Sequence, residues 1–131
     1  MPRKLEQKED VSLLVNEFYR VVKQDPVIGY IFDDIEHFDW NVHIPIMISF
    51  WQTVLFHEGN YKGNPVRTHV ELNKHFPLTE EHFIRWKKLF FETLDTHFEG
   101  PKVDEAKKRV EAMELLLLYK IKESQKPGFI Q

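Results

Sequence analysis

The sequence predicts an all-α fold, and three observations carry that expectation. Apolar residues recur with a period of 3.6 along most of the chain, whereas period-two alternation never lasts, so no strand is expected. Helix-start signals precede the apolar stripes: Asp10, the Asn64-Pro65 pair, and Thr79 followed by Glu80 and Glu81. No repeat, low-complexity tract or linker divides the 131 residues, which are expected to form one domain, 1–131, with a core from about residue 11 to about residue 124 and looser ends.

Taken in order, Asp10 is expected to cap a helix whose stripe is Val11, Leu14, Val15, Phe18, Val21 and Val22, stopped by Asp25-Pro26. Val27, Ile28, Ile31 and Phe32 suggest short turns, and "DDIEHFD" reads as loop. A third helix sets His43, Met47, Phe50, Trp51 and Val54 on one side. Pro45 places its start near 42–44, because proline is tolerated in a first turn and breaks a helix interior. "EGNYKGN" is a loop, and Asn64 then caps a short helix with Pro65 at its first position. A fifth helix carries Phe83, Trp86, Phe90 and Leu94 inward until Gly100-Pro101. The last carries Val103, Ala106, Val110, Met113, Leu117 and Ile121, ending by Pro127-Gly128.

Composition removes whole classes of function. A net charge of −3 gives no basic face for nucleic acid or an anionic membrane, and Lys107-Lys108-Arg109 lies between Glu105 and Glu111 as a solvated helix surface. "LLLLY" at 115–119 is far too short to span a bilayer, and no signal peptide precedes it. With no cysteine there is no disulfide, thiolate metal site or cysteine nucleophile, and a soluble cytoplasmic protein is expected. Phosphate-cradling loops, GxSxG and HExxH are missing, and no histidine has a glutamate three residues before it, as a di-iron bundle requires.

What remains is a set of polar-tipped residues on apolar faces. His69 shares a side of its short helix with Val66 and Val70, and no acidic residue lies three or four positions away to hold its proton. Tyr19, His43 and Trp86 stand on other stripes. Singly, each reads as a core residue whose polar atom finds a carbonyl. Together, in a chain whose residues are 14% aromatic, a lone neutral imidazole opposite Tyr, His and Trp in an aromatic-lined pocket suits a haem.

Four segments sharpen this: "FYRVVKQDPVIGYIF", "WNVHIPIMISFWQTVLF", "YKGNPVRTHVEL" and "HFIRWKKLFFETLD". In that order and spacing they resemble the truncated haemoglobins, small members of the globin superfamily, and in particular their third group. The resemblance runs from about Leu14 to about Ala112 and includes the proline two positions after His43. It implies a truncated globin-like helical sandwich around haem b, with His69 as proximal iron ligand. Tyr19 and Trp86 are then distal hydrogen-bond donors, His43 stands at the distal entrance, and Met47 lies over the haem. Phe18, Phe32, Phe50, Trp51, Val66, Leu72 and Phe83 become pocket residues, and Arg67 and His75 candidates for the propionates. Glycine pairs typical of the other two groups are missing, and "LFHEG" departs from the relatives' pattern at Phe56-His57.

The resemblance further implies binding of O2, NO and CO, with slow O2 release expected from two distal donors. An enzyme using the same haem as a nitric oxide dioxygenase or peroxidase would need an external reductase; a haem-free helical interaction module is the remaining reading. A monomer or weak dimer is expected. The other histidines, His37, His57, His75, His82 and His97, fall in loops or near helix ends.

Overall fold

The computed structural model describes residues 2–35, 38–58 and 61–125. Among these are six helices: α1 (Lys8–Val22), α2 (Gly29–Asp34), α3 (Trp40–Phe56), α4 (Pro65–His75), α5 (Glu80–His97) and α6 (Pro101–Ser124). α1 packs on α3 and α5, and α6 packs on α4, α5 and α3. The core between them is built from Leu14, Phe18, Leu55, Phe90, Leu94 and Ala106, all at most 1% exposed. No helix among the described residues is long and apolar enough to cross a membrane.

The all-α expectation holds, with corrections at the helix starts. α1 begins before Asp10, whose carboxylate sits in the first turn and accepts from the N–H groups of Glu6 (3.0 Å) and Gln7 (2.9 Å). This is capping from inside the helix rather than from its edge, and Arg3 reaches the same carboxylate at 2.6 Å. α3 begins at Trp40 because the Asp39 side chain accepts from Asn41 N–H at 2.8 Å. Pro45 therefore lies within the helix, where it gives up one backbone hydrogen bond. Asp33 and Asp34, expected in a loop, close α2.

One element was not expected. Arg3–Lys4 (β1) pairs in parallel with Phe98–Glu99 (β2). Strands of two residues carry no alternating pattern; buried Leu5 and Phe98 hold the arm in place. Gly100, at φ 107°, then turns the chain into α6, with Pro101 at the first helical position. His37 and Pro127-Gly128 lie outside the described residues.

One carboxylate holds the corner between α1 and α2. Asp25 accepts from the N–H groups of Val27 and Ile28, each at 3.0 Å. Gly29 then passes so close to α1 that a Cβ there would lie 2.7 Å from the Val22 carbonyl oxygen. Arg85, on α5, donates Nε (2.8 Å) and a terminal nitrogen (2.5 Å) to the same Asp25 carboxylate oxygen. Burial by itself raises the Asp25 pKa, but the Arg85 hydrogen bond, the two backbone N–H groups and the Arg85 charge outweigh it and hold the carboxyl below the ordinary carboxylate range.

A depressed carboxylate pKa contributes stability that is present above about pH 4 and lost as pH falls through the lowered value. Arg85→Met should therefore lower unfolding free energy at neutral pH, read by urea melts. The gap from the parent protein should begin to narrow below about pH 4 and close only as pH falls past the lowered value, once Asp25 is protonated in both.

Candidate functional site

α4 opens on Asn64, whose side chain accepts from Arg67 N–H at 3.0 Å, with Pro65 at the first position, where no N–H is needed. One turn on, His69 Nδ1 lies 2.7 Å from the Pro65 carbonyl oxygen. A carbonyl only accepts, so Nδ1 must carry the proton and Nε2 the lone pair. Burial lowers the pKa of His69, the hydrogen bond to Pro65 partly opposes this, and the ring is neutral at pH 7. Among the described residues nothing bonds to Nε2. The His69 ring lies 6.3 Å from that of Phe83 on α5, centroid to centroid.

On α1, Tyr19 is buried and its hydroxyl lies 3.0 Å from His43 Nε2. Around this pair stand Phe32, Phe38 and Trp40: the Tyr19 ring is 6.2 Å from Phe32 and 5.4 Å from Trp40, and Phe38 is 5.2 Å from His43. Burial raises the Tyr19 pKa, so the phenol keeps its proton. His43 is pushed down to about 4, by burial first and then by the charge of His69. A neutral imidazole beside a neutral phenol leaves Tyr19 O–H to donate to an unprotonated Nε2, or to accept from the other tautomer.

Trp86 belongs to a different aromatic group. It stacks on Phe90 at 4.9 Å and 18°, Phe90 stacks in turn on Trp51 at 5.0 Å and 19°, and Phe18 meets Trp86 edge-on. These partners hold the indole plane, while its N–H makes no hydrogen bond among the described residues. Phe18 is buried, 4.9 Å from both Tyr19 and Trp86. Phe50 and Trp51 are likewise buried, whereas Phe32, Met47, Val66, Leu72 and Phe83 are half-exposed. Arg67 and His75 are exposed on α4 and join none of these groups. His57 ends α3 in the left-handed conformation at φ 58°, and Phe56 is packed beneath Lys102 Nζ, 5.4 Å from its ring.

Trp40 and Phe38 escaped the sequence reading. Trp40 lies one turn before His43, so extending that stripe backwards would have found it had Pro45 not been taken to exclude a helix there. A surface cleft between α1 and α5, lined by Glu17, Arg20, Val21, Leu89, Glu92 and His97 among others, contains none of the site residues.

The residues fit a flat apolar group that brings its own metal. α4 rests on α6 and makes no comparable contact with α3 or α5. The apolar side chains on those elements, Met47, Val66, Phe83 and Trp86 among them, are left half-covered. No group of three or more histidines and carboxylates among the described residues could hold a metal ion unaided. A single imidazole with an unspent lone pair suits a metal already chelated by a ring.

No family model matches the chain. A curated relative, the group 3 truncated haemoglobin ctb of Campylobacter jejuni, is 33% identical over 91 residues, which cover 67% of this chain and 69% of that one. The crystal structure of a group III truncated haemoglobin from the same organism superposes with a TM-score of 0.79 at 27% identity, covering 99% of this chain and 100% of that chain. With this fold and that identity, the chain belongs to the group 3 truncated haemoglobins.

Proposed function

We propose that the chain is a haem-binding globin that holds haem b through His69 and receives O2, with NO and CO as further ligands, beneath Tyr19, Trp86 and His43. The observation that carries this reading is the His69 Nδ1–H bond to the Pro65 carbonyl, which leaves Nε2 with an unspent lone pair. Bound haem would supply a ferrous iron with one open coordination position for a diatomic ligand. Phe32, Met47, Val66, Leu72 and Phe83 would cover the ring faces, and Arg67 and His75, exposed on α4, are the candidates for the propionates.

The two distal donors differ in what they must give up. Trp86 N–H is unspent and is held by its stack on Phe90. Tyr19 O–H is engaged with His43, so it turns to a ligand only if the imidazole takes the tautomer with the proton on Nε2 and donates to the phenol in return. His43 is thus the residue that sets the direction of the Tyr19 proton. On this reading it would also block or admit a ligand, or serve as a further iron ligand when no gas is bound. The carbonyl partner of His69 favours reversible binding over peroxidase chemistry, because a carboxylate there would push electron density through the imidazole and a neutral carbonyl does so far less. A nitric oxide dioxygenase reading shares every residue and adds an external reductase.

Three measurements test this. His69→Gly should abolish the axial histidine signature in ferric, ferrous and CO-bound spectra, with free imidazole restoring it; an unchanged spectrum rejects the anchor. Trp86→Phe should speed O2 release by roughly 10- to 100-fold, the loss of one hydrogen bond to a charged acceptor at about 1.5–3 kcal/mol. Tyr19→Phe should have the smaller effect, since it also releases His43, and equal or reversed effects contradict the division of roles. Finally, His43 titrates near 4 in the fold against an ordinary value near 6.5, so the unfolded chain takes up a proton there between about pH 6.5 and about pH 4 that the folded chain refuses. Stability should fall with pH across that window, and urea melts of His43→Phe should show a shallower decline.

A further inference from the structure

α6 presents two apolar faces, of which the fold uses one. Val103, Ala106, Val110, Leu117 and Ile121 are buried against the other helices. On the opposite side Leu115 is 70% exposed, Tyr119 58% and Leu116 44%, with exposed Ala112 beside them. At 3.6 residues per turn these four fall within roughly 100° of arc. A contiguous apolar stripe on a surface helix marks a contact face rather than scattered exposure.

We propose that this face pairs with a second copy of the chain as an antiparallel helix pair, its two-fold axis between Leu115 and Leu116. In that register Leu115 meets Leu116 of the second copy and Ala112 meets Tyr119, a small residue opposite a large one. The charges flanking the stripe complete it. Lys108 comes level with Glu123 of the second copy, Arg109 lies one residue from that level, and Glu111 lies within a turn of Lys122. A parallel pairing in register would instead set Lys108 against Lys108 and Glu123 against Glu123. The antiparallel arrangement is also isologous, so each favourable contact occurs twice. The seam from 108 to 123 is roughly 24 Å long at 1.5 Å per residue. One helix pair of that length buries less than the roughly 1,600 Å² of a standard stable interface, so the dimer is weak and forms in the micromolar range.

The test is sedimentation velocity of the haem-loaded full chain from about 5 to about 500 µM, a range that brackets such an affinity. Dimer should accumulate across that range, and Leu115→Glu should weaken association at least tenfold with far-UV circular dichroism unchanged. The chain has no cysteine, so single cysteines report the register. Leu115→Cys should oxidise to a linked dimer, whereas Lys108→Cys should not, its two copies lying roughly 22 Å apart along the pair. A protein that stays monomeric throughout, association that survives Leu115→Glu, or equal crosslinking at 108 overturns the proposal. So does pairing that appears only when residues 126–131 are deleted, which would make the tail the occupant. Binding of phosphatidylglycerol vesicles through Leu115 without self-association would reject it in favour of a membrane surface.

Discussion

The hydrogen bond from His69 Nδ1–H to the Pro65 carbonyl, 2.7 Å long, sets the terms for much of the rest of the structure. An imidazole turned toward an apolar interior must be neutral, and a neutral imidazole has one donor and one acceptor to satisfy. The first is met inside α4, by the carbonyl one turn back. The second finds no partner among the described residues, where α4 packs chiefly on α6. The Asn64-Pro65 start matters here for a reason beyond capping. It begins α4 one full turn before His69, so that the carbonyl that fixes the ring exists at all.

Across from that imidazole, the aromatic residues divide into two systems with different tasks. Trp51, Phe90 and Trp86 form a stack that continues the core outward and ends in an indole whose N–H is unspent. Tyr19, His43, Phe32, Phe38 and Trp40 form a looser ring, edge-on or tilted rather than stacked, around one polar contact. Phe18 touches both systems through Tyr19 and Trp86. A change in the core at Phe18 is therefore transmitted to both Tyr19 and Trp86.

The parts of this that were legible in the sequence are those governed by local rules. Stripes of period 3.6, the Asn64-Pro65 cap and Thr79 placed α4, α5 and α6 correctly, because a cap and an amphipathic face each act within a turn or two. The start of α3 was misjudged because Pro45 is disfavoured inside a helix, and that local cost is outweighed by the Asp39 cap and by the packing of Trp40 against Phe32 and Tyr19. Asp10 was legible as a capping residue but not in its position, since its partners include Arg3 on an arm that only the folded protein brings near. The Tyr19–His43 contact joins residues 24 apart, and no spacing rule reaches it. The outer stripe of α6 lay hidden for the opposite reason: in "LLLLY" every face of the helix is apolar, so the run says nothing about which face the fold will cover.

On the proposed reading, what the site does with a ligand is decided by protons that are never in excess. Burial keeps Tyr19 a phenol and His43 an unprotonated imidazole, so the pair shares two protons among an oxygen and two ring nitrogens. If Tyr19 gives its proton to the bond with His43, a ligand meets one donor, Trp86; if His43 turns its own proton toward Tyr19, the ligand meets two. The difference between those arrangements is a ring tautomer, which costs far less than moving a helix. On that reading, a change of that size between an unspent indole and the carbonyl-fixed imidazole of His69 would give the site two binding strengths.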